Sequence, residues 1–353
     1  MHELNKVTKR ITEIDHSLMK KAQARLDNLT KPQGSLGRLE ELAKHIVGIT
    51  RKESPEFKNK VIFTLAADHG VTEEGVSAFP REVTAQMVYN FLNGGAGINV
   101  LARHAGARIV VADLGVAEDF KSHPELLIRK INYGTKNMAK GPAMTKLEAI
   151  RAIETGIEIF GNEFKKGIDI IGTGEMGIGN TTAASAITAV FTKKKVAEVT
   201  GRGTGINDDT LNNKIRVIKK ALKVNNPDRN DPLDVLAKVG GFEIGGLAGI
   251  ILAATAKNIP IVIDGFISGA AAMIAYHIEP KVKHYLIASH CSVEQGHRYI
   301  LEHLGLKPIL DLNLRLGEGT GAALAIQIIE AAINILTQMA TFKDANVSEN
   351  TKS

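Results

Sequence analysis

GIDIIGTGEMGIGNTTAASAITAV, residues 167–190, changes character halfway along. Its opening, 167–173, is apolar and rich in isoleucine, as in a strand buried on both faces. Gly172, Gly174, Gly177 and Gly179 follow in quick succession, and then Asn180-Thr181-Thr182 opens a small-residue apolar run that predicts a helix over 183–190. Strand, glycine loop and helix make half of a βαβ unit. The expectation is therefore an α/β fold with a mostly parallel sheet flanked by helices, and a ligand site at the carboxyl ends of its strands.

The same grammar recurs outward from this stretch. VIFTLAA (61–67), RIVVADL (108–114), IPIVIDG (259–265), HYLIAS (284–289) and PILDLNL (308–314) read as further strands, making six with 167–173. Longer amphipathic stretches lie between them. Asn212–Val224 is one, with Ile215, Ile218 and Leu222 on a single helical face. The first 55 residues read as polar helices, with RKESPEFKN (51–59) as a turn or linker. An apolar helix beyond Ile326 and a frayed tail, DANVSENTKS (344–353), close the chain.

Composition removes several classes of function. Among 353 residues, 44% are apolar, so a sizeable core is available. No uninterrupted apolar window approaches the ~18 residues of a membrane span, and MHELNKVTKR lacks the apolar run of a signal peptide. A single cysteine, Cys291, rules out a disulfide framework and suits a reducing cytoplasm. The net charge of +6 is scattered, and aromatics are 5%, so a solvated basic surface is expected rather than a nucleic-acid site.

Chemistry concentrates at the strand ends. Gly172, Gly174 and Gly177 spell G-x-G-x-x-G, but the acid expected about twenty residues on, at a second strand end, is replaced by Thr192-Lys193-Lys194-Lys195. No Gly-Lys-Ser/Thr follows, which removes a Walker loop. What survives is a nest of amides at Gly177, Ile178, Gly179 and Asn180, with the hydroxyls of Thr181 and Thr182, suited to one phosphate. The same text also describes a plain glycine-rich turn capped by Asn180. GRGTGIND (201–208), with Gly203, is a second flexible loop, and Lys214 in the helix after it could reach a phosphate or lie on the surface.

Two glutamates stand in glycine-rich backbone: Glu175 in GTGEMG and Glu318 in LGEGTGAALA (316–325). Tiny neighbours leave each carboxylate accessible and let a ligand approach closely. Glu318 could serve catalysis or merely complement a helix dipole. Asp264 closes another strand at the same edge, where it is expected to touch the substrate. In GVSAFPREVTAQMV (75–88), Ser77, Phe79, Gln86 and Met87 would suit a flat apolar ligand, or simply a helix entrance with Pro80 in its first turn. His69 in ADHG, and His290, Cys291 and His297 in SHCSVEQGH (289–297), match no zinc spacing, so no metal is expected.

Eight blocks in order, KPQGSLGRLE (31–40), ADHGV (67–71), EGVSAFPREVT (74–84), GEMGIGNTT (174–182), GRGTG (201–205), DGFIS (264–268), SHCSVEQGH and LRLGEGTGAALA (314–325), resemble the nicotinate-nucleotide–dimethylbenzimidazole phosphoribosyltransferases of cobalamin biosynthesis. The resemblance implies a Rossmann-like core (56–330), a small helical lobe from 1–55 and 331–353, and a homodimer. It implies transfer of 5-phosphoribose from nicotinate mononucleotide to 5,6-dimethylbenzimidazole or a related base, with inversion and with no cofactor. Glu318 would be the general base and Glu175 would flank the ribose. Gly177–Thr182, Gly203 and Lys214 would hold the phosphate. Met176, Leu316 and the 77–87 segment would wall the benzimidazole. A nicotinamide-dinucleotide oxidoreductase and a non-catalytic nucleotide-binding regulator remain as alternatives.

Overall fold

The computed structural model describes residues 1–348. Six strands form one sheet: β1 (Lys60–Ala67), β2 (Ala107–Gly115), β3 (Leu126–Ile128), β4 (Ile170–Met176), β5 (Ile261–Ile263) and β6 (Leu286–Ala288). Their spatial order is β3-β2-β1-β4-β5-β6, and every neighbouring pair is parallel. The chain builds outward from β1 through β2 and β3, then crosses back to lay β4 on the other side of β1. This is the doubly wound Rossmann order, and its switch point lies between the paired strands β1 and β4, where the order reverses.

Side chains alternate across the pleat, so each strand feeds two cores. Val61, Phe63 and Leu65 of β1 join one cluster, beneath the helices Lys146–Phe164, Phe242–Thr255 and Phe266–Ile278. Ile62 and Ala66 join the other, beneath the helices Val83–Leu92, Gly97–Ala105 and Thr320–Gln338. Phe242–Thr255 is buried along its whole length. Glycine lets it press against Lys146–Phe164 backbone to backbone: a Cβ on Gly156 would sit 1.9 Å from the Gly246 carbonyl oxygen, and one on Gly249 would sit 2.0 Å from that of Ile153.

Five of the six expected strands are present, and the sixth is corrected. PILDLNL (308–314) is not a strand; Leu310 makes one isolated bridge to His290. Its apolar residues do not share a buried face, since Leu312 is 54% exposed, and Asn313 has a left-handed φ of 55° that breaks an extended run. The sixth strand is instead β3, three residues pairing at the sheet edge within HPELLIRK, too short for its pattern to stand out. The expected strand 167–173 starts later and runs on through Glu175 to Met176. The helix after it begins at Asn180 rather than Ala183.

The termini meet. Helices His16–Asp27 and Arg38–Thr50 pack together, and Thr320–Gln338 lies against Arg38–Thr50. Arg25 Nε donates to the Leu336 carbonyl at 2.6 Å, and Leu29 bridges Thr341. We propose that these segments form the small lobe. The expected boundary at 330 falls inside one continuous helix, which also packs on β4 and β5, and the first helix, His2–Thr8, lies on Lys146–Phe164. Of the expected frayed tail, 344 and 345 end a short helix capped by Thr341, and 349–353 lie outside the described residues. Thr320–Gln338 is long and apolar enough to cross a membrane, but more than half of its apolar window is packed in the core.

Candidate active site

The crevice opens beyond the carboxyl ends of β4, β5 and β6. Glu175 pairs in register with Leu65 near the end of β4, and its carboxylate accepts a 2.5 Å hydrogen bond from Asn180 Nδ2 in the first turn of the next helix. Burial pushes Glu175 up to about 8, helped by the negative charges of Asp264, Glu243 and Glu318, against the Asn180 bond.

Glu318 sits at the crest of a turn in which Gly317, Glu318 and Gly319 all have positive φ, at 83°, 63° and 100°. A left-handed glutamate is strained by ~1 kcal/mol or more, a cost that clusters at functional sites. Its glycine neighbours are steric necessities. A Cβ on Gly317 would lie 2.4 Å from Glu175 Oε1, and one on Gly174 would lie 2.2 Å from the Glu318 carbonyl oxygen. Thr64 Oγ1 of β1 donates to that same carbonyl at 3.0 Å. The turn that carries Glu318 is therefore in direct contact with the end of β4 that carries Glu175. Glu318 Oε2 accepts from the Ile98 amide at 3.0 Å, at the positive N-terminus of Gly97–Ala105. Burial nevertheless raises its pKa above the ordinary carboxylate range, the Ile98 bond opposing.

Asp264 holds this turn from below. Its carboxylate accepts from the amides of Gly319 (3.2 Å), Gly321 (2.7 Å) and Ala322 (3.1 Å). Burial pushes it up to about 7 in spite of those bonds. Sequence reasoning had it touch substrate; with both oxygens engaged and 1% exposure, it positions the Glu318 loop instead. Of the three histidines, His69 and His297 are buried away from the crevice and His290 reaches it. His290 lines the crevice, with Nδ1 3.0 Å from Ser289 Oγ, and burial lowers it to about 4. His297 Nδ1 accepts from the Ser292 amide, and burial lowers it to about 3. His69 pairs with Glu243 at 2.7 Å beneath the Gly177–Gly179 turn. Among the described residues, no three His, Cys, Asp or Glu side chains gather as metal ligands.

Behind Thr181, at the other end of the crevice, lies a buried cation. Lys214 is 1% exposed, and its ammonium donates to Thr181 Oγ1 at 2.7 Å. Burial lowers it to about 8, with the charge of Glu294 opposing. A Cβ on Gly203 would fall 3.0 Å from Thr181 Oγ1 and 3.4 Å from Lys214 Nζ, so the 201–205 loop closes over this pair. The Gly203 amide donates to Glu294 at 2.8 Å, and Arg315 Nη1 reaches the Gly203 carbonyl at 3.4 Å.

The crevice encloses about 110 Å³. Its walls include Glu175, Met176, Gly177, Ile178, Asn180, Thr181 and Gly203, facing Leu316, Gly317, His290 and Glu294. Several expected contacts are not made. The Ile178 amide is taken by Thr84 Oγ1 and the Asn180 amide by the Gly177 carbonyl, so only part of the expected nest is free. Thr182 is fully buried and, like Gly179, Lys214, Asp264 and Glu318, stands behind the residues that line the space. Ser77, Phe79, Gln86 and Met87 do not line this space; Thr84 is the tie between their segment and the glycine turn. Phe79 and Leu316 are 49% and 60% exposed. Sequence reasoning missed the Ile98 amide, which no side chain signals, and Arg315 and Glu294. The last two lay in plain view within LRLGEG and SHCSVEQGH, both quoted for the resemblance without a role for either residue.

A phosphoribosyltransferase family model matches residues 11–347. The chain is similar to the nicotinate-nucleotide–dimethylbenzimidazole phosphoribosyltransferase of Geobacter sulfurreducens, at 58% identity over 98% of both chains. It is similar to the protein of the same name from Chloroflexus aggregans, at 56% identity over 99% of both. The crystal structure of CobT from Thermus thermophilus superposes with a TM-score of 0.92 at 45% identity, covering 95% of this chain and 100% of that one. With so much of its length matched, the chain belongs to this phosphoribosyltransferase family.

Proposed function

We infer that the chain transfers 5-phosphoribose from nicotinate mononucleotide to 5,6-dimethylbenzimidazole, giving α-ribazole 5′-phosphate and nicotinate, the reaction for which its relatives are named. The observation that carries the site assignment is the contact of the Glu318 turn with the end of β4, Gly317 against Glu175, with Thr181, which takes the buried Lys214 ammonium, lining the same crevice. Phosphate rests on Lys214, Thr181 and the 201–205 loop, which sets the anomeric carbon near Glu175. The bond from that carbon to the pyridinium nitrogen breaks, and its electron pair leaves with nicotinate, so the departing ring needs no acid. One benzimidazole nitrogen attacks the opposite face, and the other gives its proton to Glu318. Base catalysis of this kind contributes ~10²–10⁴-fold, and positioning and electrostatics supply the rest. Leu316 and Met176, on the crevice walls, flank the acceptor.

A dinucleotide oxidoreductase needs the glycine-turn amides for its pyrophosphate, and the Ile178 amide is bonded to Thr84. A non-catalytic regulator has no use for a strained glutamate. The homodimer implied by the resemblance belongs to this reading, and sedimentation should give twice the chain mass of 37.9 kDa. The direct test incubates the purified protein with nicotinate mononucleotide and a panel of benzimidazoles, purines and phenols. Equimolar nicotinate and an α-linked ribotide are expected with dimethylbenzimidazole; nicotinate release without a ribotide, or no reaction, contradicts the assignment.

A further inference from the structure

Glu294 has no part in the chemistry above, yet its side chain lies in the phosphate end of the crevice. It stands at the N-cap position of the helix Gln295–Leu304, in the SHCSVEQGH segment, and its side chain makes no cap bond. The side chain is 5% exposed, and Oε1 takes the Gly203 amide at 2.8 Å. Oε2 is buried with no hydrogen-bond partner, an expensive state for a carboxylate oxygen. Gly201 makes room for it, since a Cβ there would lie 2.4 Å from Oε2 and 2.9 Å from Oε1. The buried Lys214 feels its charge, but the two do not form a direct ion pair. An acid is thus held, half satisfied, on an amide of the loop that closes over Lys214 and Thr181.

We propose that Glu294 is an internal placeholder for the substrate phosphate: its carboxylate holds the Gly203 amide and counters Lys214 until the phosphate displaces it. The inference rests on the phosphate-site reading above. A carboxylate and a phosphate dianion cannot share one amide and one buried cation without strong repulsion, which a low-dielectric pocket magnifies. Displacement also gives the carboxylate a route to return when the product leaves, since the ribotide carries the same phosphate.

The test compares the unmodified enzyme, Glu294→Gln and Lys214→Ala by calorimetry with inorganic phosphate, nicotinate mononucleotide and nicotinate riboside. Glutamine keeps an oxygen for the Gly203 amide and removes the charge. Glu294→Gln is expected to tighten phosphate and the mononucleotide by about tenfold, leaving the riboside, which lacks phosphate, within about twofold. Unchanged or weaker phosphate binding in that variant overturns the placeholder. Lys214→Ala should abolish phosphate binding; if it does while Glu294→Gln changes nothing, only the placeholder falls, and if it does not, the phosphate site itself is elsewhere. Should Glu294→Gln fail to fold, a crystal structure of the unmodified enzyme with phosphate decides. The Glu294–Gly203 bond should be broken there, and a bond kept at its present length beside bound phosphate refutes displacement.

Discussion

Glu318 and Glu175 owe their properties to burial acting against only one strong hydrogen bond each, from Ile98 and Asn180. Because the Glu318 pKa is raised, the acid limb of kcat/KM should lie above the ordinary carboxylate range. A pH–rate profile that stays flat down to about pH 4.5 contradicts this. Glu175, at about 8, holds its proton at neutral pH before substrate binds. A pyridinium cation placed beside it should drive that proton off, so binding of nicotinate mononucleotide at pH 7 should release protons, read by calorimetry in buffers of different ionisation enthalpy. No release would move Glu175 away from the ring. The same shift bears on stability. A raised folded-state pKa favours folding fully below the unfolded value, near 4.5, and that contribution is lost as pH rises through about 8. Glu175→Gln should therefore raise Tm at pH 8 by roughly 2–5 °C and make no gain at pH 4.5; an equal gain at both would point to packing rather than charge. At this scale the sequence was informative where glycine exposed an acid. It was silent wherever a backbone amide or a distant side chain set the chemistry, as Ile98 and Glu294 do.

Elements meet through glycine. Phe242–Thr255 and Lys146–Phe164 approach until a methyl group on Gly156 would overlap the Gly246 carbonyl, whose backbone cannot step aside. Gly156→Ala should cost about 1–3 kcal/mol by overpacking, seen as a lower denaturation midpoint with unchanged KM in the protein that remains folded. Gly174→Ala meets the Glu318 carbonyl instead. It should cut kcat while sparing phosphate affinity, because it displaces the catalytic turn and leaves Lys214 and Thr181 in place; equal losses in both would mean the turn and the phosphate end move as one. Long apolar runs such as VIFTLAA declared their strands because burial on both faces leaves an uninterrupted pattern. Leu126–Ile128 did not, since an edge strand of three residues has too little pattern to read. PILDLNL misled for the converse reason: its alternation matches a strand, but it lies beyond β6 with one bridge to hold it and a left-handed asparagine within it.

Across the whole molecule, the strand order delivers the chemistry. Residues as far apart in the chain as Thr64 and Glu318, with Glu175 and Asp264 between them, come together because β1, β4 and β5 lie side by side and Thr320–Gln338 enters above their ends. That convergence was legible as a rule about strand ends, and the glycine spacing marked which ends mattered. The closeness of Glu175 to Gly317 needed coordinates. The central claim is that Glu318 removes the acceptor's proton in a site that otherwise binds the nucleotide without it. It is tested most directly with Glu318→Gln, by measuring single-turnover ribotide formation beside the dissociation constant for nicotinate mononucleotide. The account predicts a rate loss of ~10²–10⁴-fold with nucleotide affinity kept within about threefold. A full rate, or a loss that appears wholly as weaker nucleotide binding, would contradict it.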